Sequence, residues 1–407
     1  MPMITHAVTD LEFVHQLGAD KGAQLAKLVE RFNSKNPSIK ITLSDRSWND
    51  GKLPDLMLLD NDDEDLLIAS HRYKPLWQVM KEAGEPLQTL APPKMMAPTS
   101  LDEARRLVAL PVGLSSPVMF YNKSVFEQAG INSSKPPKTW QDLQDVLGKL
   151  VQTGSACPFT TTQPEWIFIE NVSTWNNQAY TSVSKPEQLS INGLMQVKHL
   201  AMMSSWYKSN YLKLFGRGDE AQQKFVDGNC VVMTAPSAAY PTLVRQAKFD
   251  VGVASFPYHG DAYGAPQNTL ADGPNLWVAA GEDTAAYKAI AKFVHFWLTP
   301  ESQLEWQVDA GYLPLNEAGL IAVNHSQLLN GQLLAQQIAI DELTHKPVTA
   351  TSGATAYMRR PGVRHIIDEE IETVWANKKP AKQALDDAVA RVRGGQNGCC
   401  RETVSAN

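Results

Sequence analysis

Residues 53–60 read LPDLMLLD, a short and almost wholly apolar run that predicts a strand buried on both faces. A strand without a solvent face needs a covering layer on each side, and the preceding chain offers the parts. LEFVHQLG carries the β-branched and aromatic residues of another buried strand. KGAQLAKLVERFNSKNP then sets Leu25, Leu28, Val29 and Phe32 on one helical face and stops at Asn36-Pro37, and ITLSD supplies a further short strand. Strands alternating with helices imply a mostly parallel sheet with right-handed crossovers.

The same alternation continues over 407 residues, too long for one ordinary core, so two large domains are expected. LVALPVGLSSPVMFYNKSVFEQAG reads as strand, loop, strand and helix. KPPKTWQDLQDVLGKL is a helix entry with Thr139 as cap and Asp142 as its partner three residues on. Residues 120–270 hold their own helices and short strands, CVVMTA and FDVGVASFP among them. NLWVAAGEDTAAYKAIAKFVHFWL is strand, turn and long helix, and IIDEEIETVWANKKPAKQALDDAVARVR is a helix pair with one apolar face. No internal repeat is present, and the tail GGQNGCCRETVSAN is expected to fray.

Hydrophobic residues at 43% and charged residues at 20% are globular values, and a net charge of -6 gives no electrostatic footprint for nucleic acid. No apolar run approaches the roughly 20 residues that span a bilayer. MPMITHAVTD lacks a basic n-region and an apolar h-region, which leaves a cytosolic protein or a mature secreted form. Cys157 and Cys230 are either a disulfide or two buried thiols, while Cys399 and Cys400 lie in the tail.

Catalytic signatures are absent: there is no GxGxxG, GxxxxGK[ST], GxSxG or HExxH, and the nine histidines are scattered. Ser115, Ser116 and Ser237 fall in loops after strands with no motif tying a histidine base to them. The run LLDNDDEDLL lacks the glycine turn and distal Glu of a calcium loop and reads as a solvated, acidic first helical turn. Of ten tryptophans, Trp48, Trp166, Trp175, Trp277 and Trp375 fall near strand ends or loops. Any single one is more often core, yet aromatic rings beside Ser, Asn and Gly at strand ends suit a cleft for polyols or sugars.

PPKTWQDL after YNKSVFEQAG, the PDLMLLD strand, and GYLPL after a long helix resemble extracellular solute-binding proteins of the maltose-binding type. FVHQLGADKGAQLAKLVERFNSKNPSIKI, EWIFIENVSTWN, GRGDEAQQKFVDGNCVVMTA and APQNTLADGPNLWV resemble one branch more closely, the periplasmic glycerol-3-phosphate-binding proteins of ABC importers. The resemblance covers about residues 11–393. It implies an α/β, two-lobed periplasmic binding protein of type II with discontinuous lobes joined by hinge crossovers. The N-terminal lobe is expected at 1–118 plus 274–318, the C-terminal lobe at 119–273 plus 319–393, and a flexible tail at 394–407.

The resemblance also implies a mature periplasmic chain and a monomer that hands its ligand to membrane permease subunits. It implies no catalysis, no cofactor, no metal and no nucleic-acid partner, with the ligand held in an interlobe cleft by hinge closure. Carried over residue by residue, the ligand-binding set is Trp48, where relatives usually have tyrosine; Asn61, at the family's carboxylate, with Asp60 beside it; the serines Ser115, Ser116 and Ser237; Trp166, with Gln163 where relatives have a second tryptophan; and Gly273 and Tyr312. In SGATAYMRRPGVR, Ala356 falls near the family's phosphate-binding arginine, and Arg359 or Arg360 takes over that role or else the two form a surface pair. The cargo implied is glycerol 3-phosphate or a glycerophosphodiester such as glycerophosphocholine. The alternatives are a sugar or neutral polyol on the same scaffold, or, in another class, a sensor, interaction protein or hydrolase.

Overall fold

The computed structural model describes residues 8–399 apart from 86, 88–99, 103, 105, 186, 317, 318, 320, 322–330, 332 and 353–361. The chain divides into two units, residues 1–115 with 271–336 and residues 116–270 with 337–407. The passages between the units thus fall after residues 115, 270 and 336, where the sequence suggests crossings after 118, 273 and 318. The helix Leu334–Leu343 carries the chain through the third passage.

The described strands are β1 (Thr9–His15), β2 (Ile39–Ser44), β3 (Leu56–Leu59), β4 (Pro117–Asn122), β5 (Phe159–Thr161), β6 (Leu212–Lys213), β7 (Val232–Pro236), β8 (Val251–Ala254) and β9 (Asn275–Val278). In the first unit they form the sheet β2-β1-β3-β9. β1 runs parallel to β2 and β3, and β9 closes the edge antiparallel to β3. All four residues of β3 are buried, because it lies between two strands with apolar layers on both faces. Met57 and Leu59 join Trp48, Val14 and Trp277 in one layer. On β1, Phe13 alternates with Val14 and meets Phe293 of the helix Thr284–Trp297 at 6.0 Å, and that ring in turn meets Phe32 at 5.0 Å. Phe32, Leu25, Leu28 and Val29 are the buried face of the helix Ala19–Lys35, each worth about 1.5–3 kcal/mol of burial.

The second unit holds the sheet β6-β5-β7-β4-β8. β5 runs parallel to β6 and β7, but β4 is antiparallel to both β7 and β8. The first sheet is thus mostly parallel with one antiparallel edge strand, and the second is mixed, since the crossing strands β9 and β4 enter against the prevailing direction. At the centre of this unit Trp140 is wholly buried among Phe159, Phe168, Trp206 and Phe256. Trp140 opens the helix Trp140–Gln152. Thr139 accepts from the Asp142 amide at 3.0 Å and Asp142 accepts from the Thr139 amide at 3.1 Å, the reciprocal cap that TWQD foretells. A second cluster, Leu200, Ile367, Ile371, Ala384, Leu385 and Ala388, buries the apolar face of the terminal helix pair Val363–Trp375 and Ala381–Cys399.

Cys157 and Cys230 form a disulfide, which decides between the two readings of these cysteines. It joins the chain just ahead of β5 to the chain just ahead of β7, neighbouring strands of one sheet. No described helix is long and apolar enough to cross a membrane.

Beside Trp140, His199 Nδ1 and His259 Nε2 lie 3.0 Å apart, both residues buried. Burial pushes His259 down to about 4, helped by the Lys198 cation and opposed by Asp261. Burial and His259 hold His199 well below the usual histidine range. Both are thus neutral when folded, while the unfolded chain takes up protons near pH 6.5. Stability is complete above that pH and falls as pH drops from 6.5 toward 4, by about 2 kcal/mol at pH 5 from His259 alone. His259→Gln should flatten this limb of a plot of Tm against pH; parallel wild-type and variant curves would refute the assignment.

Candidate functional site

Each unit places its own share of the expected ligand residues. In the first unit, Trp48 follows β2, and its indole Nε1 donates to Asp63 Oδ1 at 2.9 Å, so the N–H offered in place of a phenol is engaged within the protein. Asp63 belongs to the helix Asn61–Ser70, for which exposed Asp60 is the N-cap. Asn61 begins that helix, and its side chain lies outside what the structure describes.

One residue of this acidic turn departs from the solvated reading that the sequence suggests. Glu64 is 3% exposed, and its Oε1 accepts from Asn275 Nδ2 at 2.6 Å and Trp277 Nε1 at 2.8 Å. Ser100 Oγ donates to Asn275 Oδ1 at 2.8 Å, which extends the network to β9. The run thus cross-links the sheet edge, and no group of three His, Cys, Asp or Glu among the described residues can hold a metal ion.

Ser115 pairs with Asp272 through both backbone bonds, at 2.9 and 3.0 Å. Gly273 follows with φ 142°, where a Cβ would stand 2.0 Å from the Gly113 carbonyl oxygen. Only glycine permits this approach of two backbones. Tyr312 is buried and stacks on Trp306 at 5.5 Å, and Trp306 Nε1 donates to the Val112 carbonyl at 2.7 Å. Lys21 Nζ lies 4.5 Å from the Tyr312 ring centre. Lys21 is absent from the sequence-derived set, though its place in the first turn of the helix that follows β1 was a usable signal.

In the second unit, Ser116 and Ser237 are wholly buried and bind one another through the backbone, the Ser237 amide donating to the Ser116 carbonyl at 2.8 Å. Ser116 Oγ donates to Thr269 Oγ1 at 2.7 Å, a partner the sequence did not suggest. Gln163 adopts φ 43°, and its Nε2 donates to Asp219 Oδ1 at 3.1 Å. Three residues later Trp166 opens a π-helical segment, Trp166–Asn171. Trp166 is 3% exposed, and its Nε1 has no hydrogen-bond partner among the described residues. Asn171 Nδ2 donates to the Trp166 carbonyl at 3.1 Å, and Asn171 Oδ1 accepts from the Leu270 amide at 2.8 Å. Arg359 and Arg360 lie outside the described residues. A groove of about 600 Å³ between the end of the helix Leu194–Lys208 and the turn Asn377–Pro380 contains none of the expected residues.

The fold is similar to that of UgpB from Mycobacterium tuberculosis, solved in complex with glycerophosphocholine, at TM-score 0.78 and 18% identity, covering 97% of this chain and 100% of that one. It is also similar to maltose-bound MalE3 of T. maritima, at TM-score 0.73 and 16% identity, covering 95% and 99%. These likenesses define the fold, the α/β, two-domain fold of the maltose-binding type. Residues 27–319 match the family described as bacterial extracellular solute-binding protein. The chain is 34% identical over 403 residues to the sn-glycerol-3-phosphate-binding periplasmic protein UgpB of Escherichia coli (strain K12), covering 95% of this chain and 92% of that protein. The corresponding protein of Pectobacterium atrosepticum is 32% identical, covering 95% and 90%. The chain belongs to the bacterial extracellular solute-binding protein family.

Proposed function

We propose that this chain captures a glycerophosphodiester or sn-glycerol 3-phosphate as the substrate-binding subunit of an ABC importer. It works in the periplasm and passes its ligand to membrane permease subunits. The observation that carries the cargo is 34% identity across nearly the whole chain to sn-glycerol-3-phosphate-binding periplasmic proteins. Three features support it: the Trp166 indole N–H, which has no hydrogen-bond partner among the described residues, the stacked Tyr312, and the Lys21 cation over that ring. An aromatic face with a free donor suits a polyol or a choline-like head, and a cation suits the phosphate. The relatives are solute-binding proteins rather than enzymes, and we propose no chemical step for this chain.

Thermal unfolding with sn-glycerol 3-phosphate, glycerophosphocholine or maltose tests the cargo, because a ligand at about a hundred times its Kd stabilises by roughly 2.7 kcal/mol. A raised Tm with either phosphate ester supports the reading. A rise with maltose alone overturns it. Trp166→Ala should weaken binding of the active ligand by about 1–3 kcal/mol in calorimetry, and wild-type affinity would return Trp166 to the core.

A further inference from the structure

The segment that presents Trp166 is held by an expensive arrangement. Glu165 and Glu170, on either side of it, are buried, and one guanidinium faces both. Arg364 Nη2 lies 3.1 Å from Glu170 Oε2, and Nε lies 3.6 Å from Glu165 Oε2. Tyr180 donates its hydroxyl to Glu165 Oε1 at 3.0 Å. One turn beyond Arg364 on the same helix, Asp368 accepts from the Glu165 backbone amide, and burial pushes its carboxyl up to about 7. Burial, with Glu170 beside it, likewise pushes the Glu165 carboxyl well above the carboxylate range. Farther along that helix Glu372 takes both arms of Arg217, at 2.6 and 2.7 Å.

Two buried acidic side chains facing one guanidinium make a poor device for stability, since apolar side chains of the same volume hold a core at least as well. The arrangement does give direction. It fixes the residue before Trp166 and the fifth residue of the π-helical segment to one rigid helix, so the indole between them cannot rotate with its backbone. Two further irregularities fall on the same few residues: the left-handed backbone of Gln163 and the π-helical register itself. Strain and π-bulges gather where a side chain must be aimed rather than merely packed.

We propose that Arg364 is a positioning residue for Trp166, gripping Glu165 and Glu170 so that the indole is held ready for the ligand. The link to ligand rests on the function proposed above; the grip on Trp166 does not. Arg364→Met combined with Glu170→Gln removes one charge of each sign and keeps the core filled. In 15N-labelled protein the Trp166 indole N–H resonance, identified by its loss in Trp166→Phe, should shift and broaden in the folded double variant. An unmoved resonance overturns the proposal whatever the ligand. If the double variant fails to fold, Arg364→Lys, which keeps the charge and loses the fork, is read by the same resonance with the same two outcomes. With glycerophosphocholine as probe, affinity should fall about tenfold, and the double replacement should cost nothing further in a Trp166→Ala background. Additive losses would show that Arg364 acts on binding by another route. Wild-type affinity in Trp166→Ala alone would overturn the ligand role of Trp166 and leave the resonance test to decide the grip.

Discussion

Alanine at Gly273 is expected to destabilise the first unit by about 3–5 kcal/mol, among the larger effects of any single methyl group added to this chain. Two causes act together. The backbone there has φ 142°, a conformation that side chains of L residues rarely adopt. The added Cβ would also stand 2.0 Å from the Gly113 carbonyl oxygen, which belongs to backbone and cannot swing aside. Gly113 is tied in place, its amide donating to the Pro274 carbonyl at 2.9 Å. Gly51 offers the control, with φ 77° and nothing within 4 Å of its Cβ position, so Gly51→Ala should cost only the conformational penalty of about 1 kcal/mol. Urea unfolding of both variants separates contact from strain. Equal losses would mean that Gly113 and Gly273 do not approach as described.

Loss of the Cys157–Cys230 disulfide is expected to cost about 2–5 kcal/mol. The bridge closes a sequence separation of 73 residues, which places the chain-entropy contribution near the upper part of that range, roughly 4 kcal/mol. Both sulfurs belong to buried residues, so a reductant reaches them through opening of the sheet rather than at the native surface. Urea midpoints with and without dithiothreitol, and for Cys230→Ser, read the effect. A midpoint that ignores both reductant and substitution would show that the pair does not bridge in solution. An oxidising periplasm is the setting in which such a bond persists.

Much of the fold was legible because it is written in local periodicity. The face Leu25, Leu28, Val29 and Phe32, the wholly buried β3 and the Thr139–Asp142 cap each follow from residues within a turn or two of one another. What stayed illegible depends on distant partners. Glu64 looked like one more solvated acid because the groups that neutralise its burial, Asn275 and Trp277, lie far along the chain. The π-helical register of WIFIEN leaves no mark in the sequence, since six buried residues satisfy several backbone geometries equally. Of the candidate site, Trp166, Tyr312 and the serines were proposed from family pattern alone. Thr269 enters only through the hydroxyl it meets, whereas Lys21 had a local signal in its helix turn and lacked only the Tyr312 ring beside it.

The antiparallel pairing of β3 with β9 has a consequence for how such a chain is made. During synthesis, Leu56–Leu59 leaves the ribosome long before Asn275–Val278 exists, so the first sheet waits with an open apolar edge. Neither the Glu64 carboxylate nor the Trp48 layer can find its full set of neighbours until Trp277 has been translated. A polypeptide built in this order stays unfinished through most of its elongation. That delay makes the first sheet a unit that closes only after most of the chain has been made.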